Sequence, residues 1–104
     1  MNVFFGIGNL TRDAELRYTN SGTAVCNFTF AMNKKFKETE NVTYVDCVAW
    51  GKYGELISEN LKKGKKVGVV GELNQKHWEK DGEKHSRYEI TVREVEYLSP
   101  KDAF

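Results

Sequence analysis

An all-β chain folded as an OB-fold, the five-stranded Greek-key barrel with one short helix between strands 3 and 4, is what the sequence predicts. Three observations carry this. Five runs of alternating or β-branched residues are interrupted once, after the third, by a stretch of helical spacing. An Asp-Gly pair, Asp81-Gly82, sits between the last two runs and signals a tight hairpin. A length of 104 residues suits one domain that buries its own core. Residues 1–98 are read as the barrel and 99–104 as a short C-terminal tail.

Val3 to Leu10 opens the barrel as a strand in which Gly6 and Gly8 mark a bulge, a bend or a close backbone approach. Leu16-Arg17-Tyr18 is a short extension and Asn20-Ser21-Gly22 a turn. Ala24 to Lys34 alternates most clearly, with Cys26, Phe28, Phe30 and Met32 on an inner face and Asn27, Thr29 and Asn33 on an outer one. Lys34 to Asn41 is polar apart from Phe36 and reads as a loop carrying one aromatic. Tyr44 to Lys52 is a strand ending at a Gly. Its Val45, Cys47 and Ala49 face is small and apolar, and its Tyr44, Asp46, Val48 and Trp50 face carries two large rings. Tyr53 to Leu61 is the helix, with Leu56, Ile57 and Leu61 on its apolar side and Lys62-Lys63-Gly64 as its stop. Val67 to Asn74 is a strand, with Gln75 to Glu79 as its outward prolongation. Arg87 to Arg93 returns beside it, and Tyr97-Leu98 closes the domain.

Composition excludes several function classes. The formal charge is +1, so any basic surface must arise from how charges are distributed. Cys26 and Cys47 lie on buried faces without metal-ligand spacing and read as reduced thiols. No signal peptide and no membrane-length apolar run is present, which points to a cytoplasmic protein with no membrane association. Gly-rich phosphate loops, nucleophile elbows and His-x-x-x-His patterns are missing, so no catalysis, no cofactor and no metal are expected. His77 and His85 flank the hairpin and could approach each other across it, but without further ligands they do not make a zinc site.

The basic residues are interleaved with aromatics. Lys34, Lys35 and Lys37 surround Phe36, Lys52 follows Trp50, Lys62, Lys63, Lys65 and Lys66 bracket the helix end, and Lys76 and His77 precede Trp78. Rings beside cations form a stacking track with an electrostatic guide, as single-stranded nucleic acid requires. The blander reading is that the rings fill the core and that lysines at a helix end complement its dipole. Residue types alone leave open an RNA-binding domain, since stacking does not read the 2′-OH. They also leave open a protein-interaction module using the same apolar face.

Gly8-Asn9-Leu10, Asp13-Ala14-Glu15-Leu16-Arg17-Tyr18, Gly22-Thr23-Ala24-Val25, Val48-Ala49-Trp50-Gly51-Lys52, Leu61-Lys62-Lys63-Gly64, Val70-Gly71-Glu72-Leu73 and Trp78 occur in an order and spacing that resemble the bacterial single-stranded DNA-binding protein family, from about Asn2 to Leu98. The resemblance implies an OB-fold that assembles as a homotetramer and binds single-stranded DNA without sequence preference, in replication, recombination and repair at the nucleoid. A primosome-restart type of OB-fold dimer is the nearest rival, with fewer aromatics and more cations. The family's stacking rings fall on Phe36, Tyr44, Trp50 and Trp78. Its phosphate contacts fall on Lys52, Lys62, Lys63, Lys76 and His77, with Lys34 and Lys35 as further candidates.

Departures are visible too. Phe36 and Tyr44 stand where well-known members carry Trp. Asp46 stands where a basic residue is common and would repel phosphate, with Lys34 and Lys35 as its expected offset. Val45 replaces a polar subunit-contact residue. The family's long linker and acidic Pro-Phe tip are not matched by Ser99 to Phe104, as in a tailless or trimmed form, so recruitment of replication and repair proteins through a tip is not expected.

Overall fold

Strand-forming runs and one helix are arranged as β1 (Phe4–Leu10), β2 (Glu15–Tyr18), β3 (Ala24–Phe36), β4 (Thr39–Trp50), α1 (Gly51–Ser58), β5 (Lys66–Lys80) and β6 (Glu83–Tyr97). This computed structural model describes residues 1–36 and 38–100, without the side chains of 35 and 36. The sheet order is β1-β5-β6-β4-β3-β2, and an added β1–β3 pairing closes five of the strands into a barrel. β1 and β2 both run antiparallel to β3, at Leu10↔Phe30 and then from Glu15↔Asn27 to Tyr18↔Ala24. They are successive lengths of one barrel strand, interrupted at residues 11–14. The short extension expected at Leu16 is thus the second half of the first strand.

Alternation places the core as expected. Phe28, Phe30, Cys26 and Cys47 point inward with Val69 and Ile90, and the Phe4 ring packs 6.4 Å from that of Phe30. The flagged glycine at position 8 sits where the ring closes. A Cβ there would strike the carbonyl oxygen of Ala31 and come within 2.7 Å of the Phe30 ring, so only glycine lets β1 approach β3 this closely. At the far hairpin, Asp81 (φ 52°) and Gly82 (φ 80°) both adopt positive φ, which the two-residue primed turn demands.

Two expectations are corrected. Lys34 to Asn41 is not a loop: β3 and β4 stay paired from Val25↔Trp50 out to Phe36↔Thr39, forming a hairpin arm. Backbone pairing satisfies the arm's N–H and C=O groups whatever its side chains. Since Asn33, Lys34 and Glu38 to Tyr44 are all exposed, no buried face exists to generate an alternating pattern. The helix covers Gly51–Ser58, not Tyr53 to Leu61. Trp50, extended in φ and ψ, is its N-cap, and Ile57 alone of the three expected apolar residues is a buried helical one. Leu61 is buried beyond the helix and Leu56 is exposed. Lys62 and Lys63 therefore lie past the last turn, where they do not complement the helix dipole.

β6 extends well beyond Arg87 to Arg93 on both sides, and the β5–β6 ribbon stays paired out to Lys80↔Glu83. At the other end, the Leu98 amide donates to the Lys66 carbonyl at 2.9 Å, and the Ser99 hydroxyl accepts from the Lys66 amide at 2.7 Å. The end of the tail from residue 101 lies outside the described residues.

Both cysteines are buried and unpaired. Burial pushes the Cys26 thiol up to about 11, and burial with the nearby Asp46 and Glu89 carboxylates pushes Cys47 up further still. The thiolate is the reactive form, so a raised pKa and burial act together. Native protein at pH 8 is expected to leave both thiols unmodified by an alkylating reagent, while protein unfolded in guanidinium reacts at both, as read by mass spectrometry. Rapid modification of the native state would refute this placement.

Candidate nucleic-acid interface

The outer face of β4 presents Tyr44, Asp46, Val48 and Trp50, opposite Ala31, Thr29, Asn27 and Val25 of β3. At about 3.4 Å per residue, the two rings stand roughly 20 Å apart along the strand. Both are exposed. Val48 between them is buried, because side chains from neighbouring strands cover it. Arg17, Tyr18, Thr19, Val25, Asn27, Val48, Trp50 and Lys76 line an open groove of about 310 Å³ here. Lys76 reaches it because β6 pairs in parallel with β4 at Cys47↔Ile90 and Val48↔Thr91, which brings the β5–β6 arm over this face.

Two residues beyond Lys76, on the same side of β5, Trp78 faces its cross-strand partner His85. The two rings stack, with centroids 5.6 Å apart and planes inclined by 20°. His77 pairs with Ser86 in the backbone register and by alternation belongs to the opposite face of the arm. The expected approach of His77 to His85 is therefore replaced by a Trp78–His85 stack. His77, Trp78, Glu79, Lys84 and His85 still line one open cavity of about 300 Å³ around the arm.

The remaining candidates are dispersed. Lys52 is exposed in the first turn of α1, beside Glu55, Leu56 and Glu59. Lys62 and Lys63 lie in the turn between α1 and β5, where the Lys63 amide donates to Asp13 Oδ1 at 2.9 Å. Neither lines the Trp50 groove. Lys34 pairs with Asn41 and shares the strand parity of Phe30 and Met32, so it lies on the face opposite Tyr44 and Asp46. The side chains of Lys35 and Phe36 fall outside the described residues.

Asp46 is not offset by Lys34. Its Oδ1 accepts a hydrogen bond from the Thr29 hydroxyl at 2.7 Å. One register step from the Cys47↔Ile90 pair, Glu89 of β6 stands beside it, only 4% exposed. Glu89 Oε1 lies 3.0 Å from Lys76 Nζ, and Oε2 lies 3.6 Å from Arg87 Nη2.

Arg17 and Tyr18 line this groove, and Arg87 and Glu89 adjoin it through Lys76; the sequence pattern singled out none of the four as site candidates. Arg17 donates to Asn27 Oδ1 at 2.9 Å. The Tyr18 hydroxyl donates to Glu55 Oε2 at 3.0 Å, a bond that raises its pKa above the ordinary value. An adjacent cation and ring, Arg17-Tyr18, was the available signal, but four residues of strand are too few for alternation to show which face they occupy. The assembled surface offers flat rings, flexible cations and an open trough. No group of three or more His, Cys, Asp or Glu placed to hold a metal occurs among the described residues.

Comparison with known proteins gives a consistent family. Residues 1–98 match the Single-strand binding protein family. A single-stranded DNA-binding protein of Treponema pallidum is 47% identical over 96 residues, covering 88% of this chain and 54% of that protein. Single-stranded DNA-binding protein 2 of Clostridium acetobutylicum is 38% identical over 102 residues, covering 94% and 77%. The chain thus spans about half the length of the Treponema relative. Among solved structures, the Plasmodium falciparum SSB complex with ssDNA superposes with a TM-score of 0.87 at 21% identity, covering 95% of this chain and 96% of that one. That likeness establishes the OB-fold.

Trp78 is 44% exposed on an arm clear of the core. Replacing it with Ala is expected to change stability by no more than about 0.5 kcal/mol, or roughly 2–4 °C in the melt. A loss of several kcal/mol in a calorimetric scan would make Trp78 a structural residue.

Proposed function

As the chain belongs to the single-strand binding protein family, we propose that it binds single-stranded DNA without sequence preference and without catalysis, protecting single strands in replication, recombination and repair. One observation carries the reading: a ring, a cation and a second ring stand in series, with Trp50 and Lys76 in one groove and Trp78 two residues further along the same side of β5. Every base has a π-face, so such a track holds any sequence, and each stacked base contributes about 1–3 kcal/mol. Tyr44 extends the set of rings along the β3–β4 arm, and Phe36, whose side chain lies outside the described residues, is kept as an expected member of the set. Lys34, Lys35, Lys52, Lys62, Lys63 and His77 are assigned to phosphates along a strand that continues past the groove and around the barrel. No helix among the described residues is long and apolar enough to cross a membrane. We place the protein in the cytoplasm, at the nucleoid.

The assembly we propose is a homotetramer. Phe5 and Ile7 point outward from β1, and Phe5 is 62% exposed. With Val3 before them and Leu98 nearby they form an apolar row that a second copy would cover.

Titrating intrinsic Trp fluorescence with oligo-dT at two salt concentrations tests the binding. Strong quenching is expected, with log K falling against log salt at about −0.7 per phosphate neutralised. Absence of quenching overturns the proposal, and equal quenching by oligo-rU would show that the site does not distinguish RNA. Light scattering tests the assembly. Four chains are expected in the wild-type particle and fewer in Phe5→Lys/Ile7→Lys, and a wild-type monomer would refute the tetramer.

A further inference from the structure

We propose that Glu89 is a built-in stand-in for a DNA phosphate, holding Lys76 and Arg87 in the unbound protein so that DNA must compete for them. The inference rests on the single-strand-binding reading above. Glu89 occupies an outward-facing position of β6 yet is 4% exposed, with two cations of its own face against its carboxylate. Each carboxylate oxygen has its own cation, Lys76 at 3.0 Å and Arg87 at 3.6 Å, a fork that a phosphate presents in the same way.

The two sides of this contact differ in freedom. Lys76 and Arg87 have side chains 54% and 48% exposed, on long flexible stems that can swing to another acceptor. Glu89 is enclosed and cannot follow. When the cations turn to phosphate, a buried carboxylate loses its partners, which is unfavourable. Asp46 alongside adds a second negative charge, which accepts a hydrogen bond from the neutral Thr29 hydroxyl. Two cations against two carboxylates balance in formal charge at the edge of the groove that Lys76 lines. On this proposal the rings on either side bind bases, while this edge withholds part of its charge. Asp46, which fits poorly as an isolated acid on a DNA face, belongs to this compensated patch.

Glu89→Gln keeps the shape and removes the charge. Relative to wild type, this variant is expected to bind oligo-dT several-fold more tightly at low salt. Its log–log salt slope should steepen by about 0.7 if one cation is released and about 1.4 if both are. Glu89→Asp, which keeps the charge, should hold the slope near the wild-type value. Should E89Q melt below the assay temperature, Lys76→Met in the wild-type background decides: it should lower the slope by clearly less than the 0.7 of a full phosphate contact. A folded E89Q with unchanged or weaker binding and an unchanged slope overturns the inference. So does a full 0.7 loss in Lys76→Met. Failure of the wild-type protein itself to bind oligo-dT overturns the single-strand reading and this inference together, which separates the two failures.

Discussion

The parallel pairing of β4 with β6, at Cys47↔Ile90 and Val48↔Thr91, is the constraint on which the rest depends. It is short, and it joins the two long antiparallel ribbons into one barrel. Through it the β5–β6 arm lies over the outer face of β4, so Lys76 meets Trp50 although 26 residues separate them. Register is specified by what each face carries. A slip of one residue would turn Cys47 and Ile90 outward and carry Asp46 and Glu89 into an apolar interior, at a cost no nearby cation could offset. The two acids that trouble a binding surface also pin its alignment.

Much of the barrel was legible because its strands have one buried face. Cys26, Phe28 and Phe30 alternate with Asn27 and Thr29, and the structure buries the first set. Asp81-Gly82 was legible because few residue pairs accept positive φ twice in succession. The outer arms were harder to read for the same reason in reverse. Lys34 and Glu38 to Asn41, the side chains described in that stretch, are all exposed, and hydrogen bonding in a ribbon leaves no imprint on side-chain type. The helix was displaced because Leu61 looks like a helical residue in the sequence while the fold uses it as a buried residue after the helix.

The site divides along similar lines. Trp50, Trp78 and Lys76 announce themselves by type, and the barrel brings them to one side. Glu89 did not, since within Tyr88-Glu89-Ile90-Thr91-Val92 it reads as one more solvated acid on an alternating strand. It is buried and paired with Lys76 on the neighbouring strand and Arg87 two residues away, contacts that no single-strand pattern contains. Lys34 shows a different limit. It counts as a cation near an aromatic in the sequence, but strand parity puts it on the face away from Tyr44, where only a strand that continues around the barrel would meet it.

On the proposed reading, a net charge of +1 gives the surface as a whole only a weak attraction for DNA. Rings would then supply a larger share of affinity than in a strongly basic binder, and exposed rings are useful only if they are held ready. The backbone of Trp50 is fixed at the N-terminus of α1, where the strand ends and the helix begins. Trp78 stacks on His85, whose ring covers one of its faces. Restricting each indole before binding reduces the rotamer entropy lost on stacking, about 0.5–1.5 kcal/mol for a mobile side chain at an interface. That saving is comparable to a weak stacking contact, so how the rings are held matters about as much as how many there are.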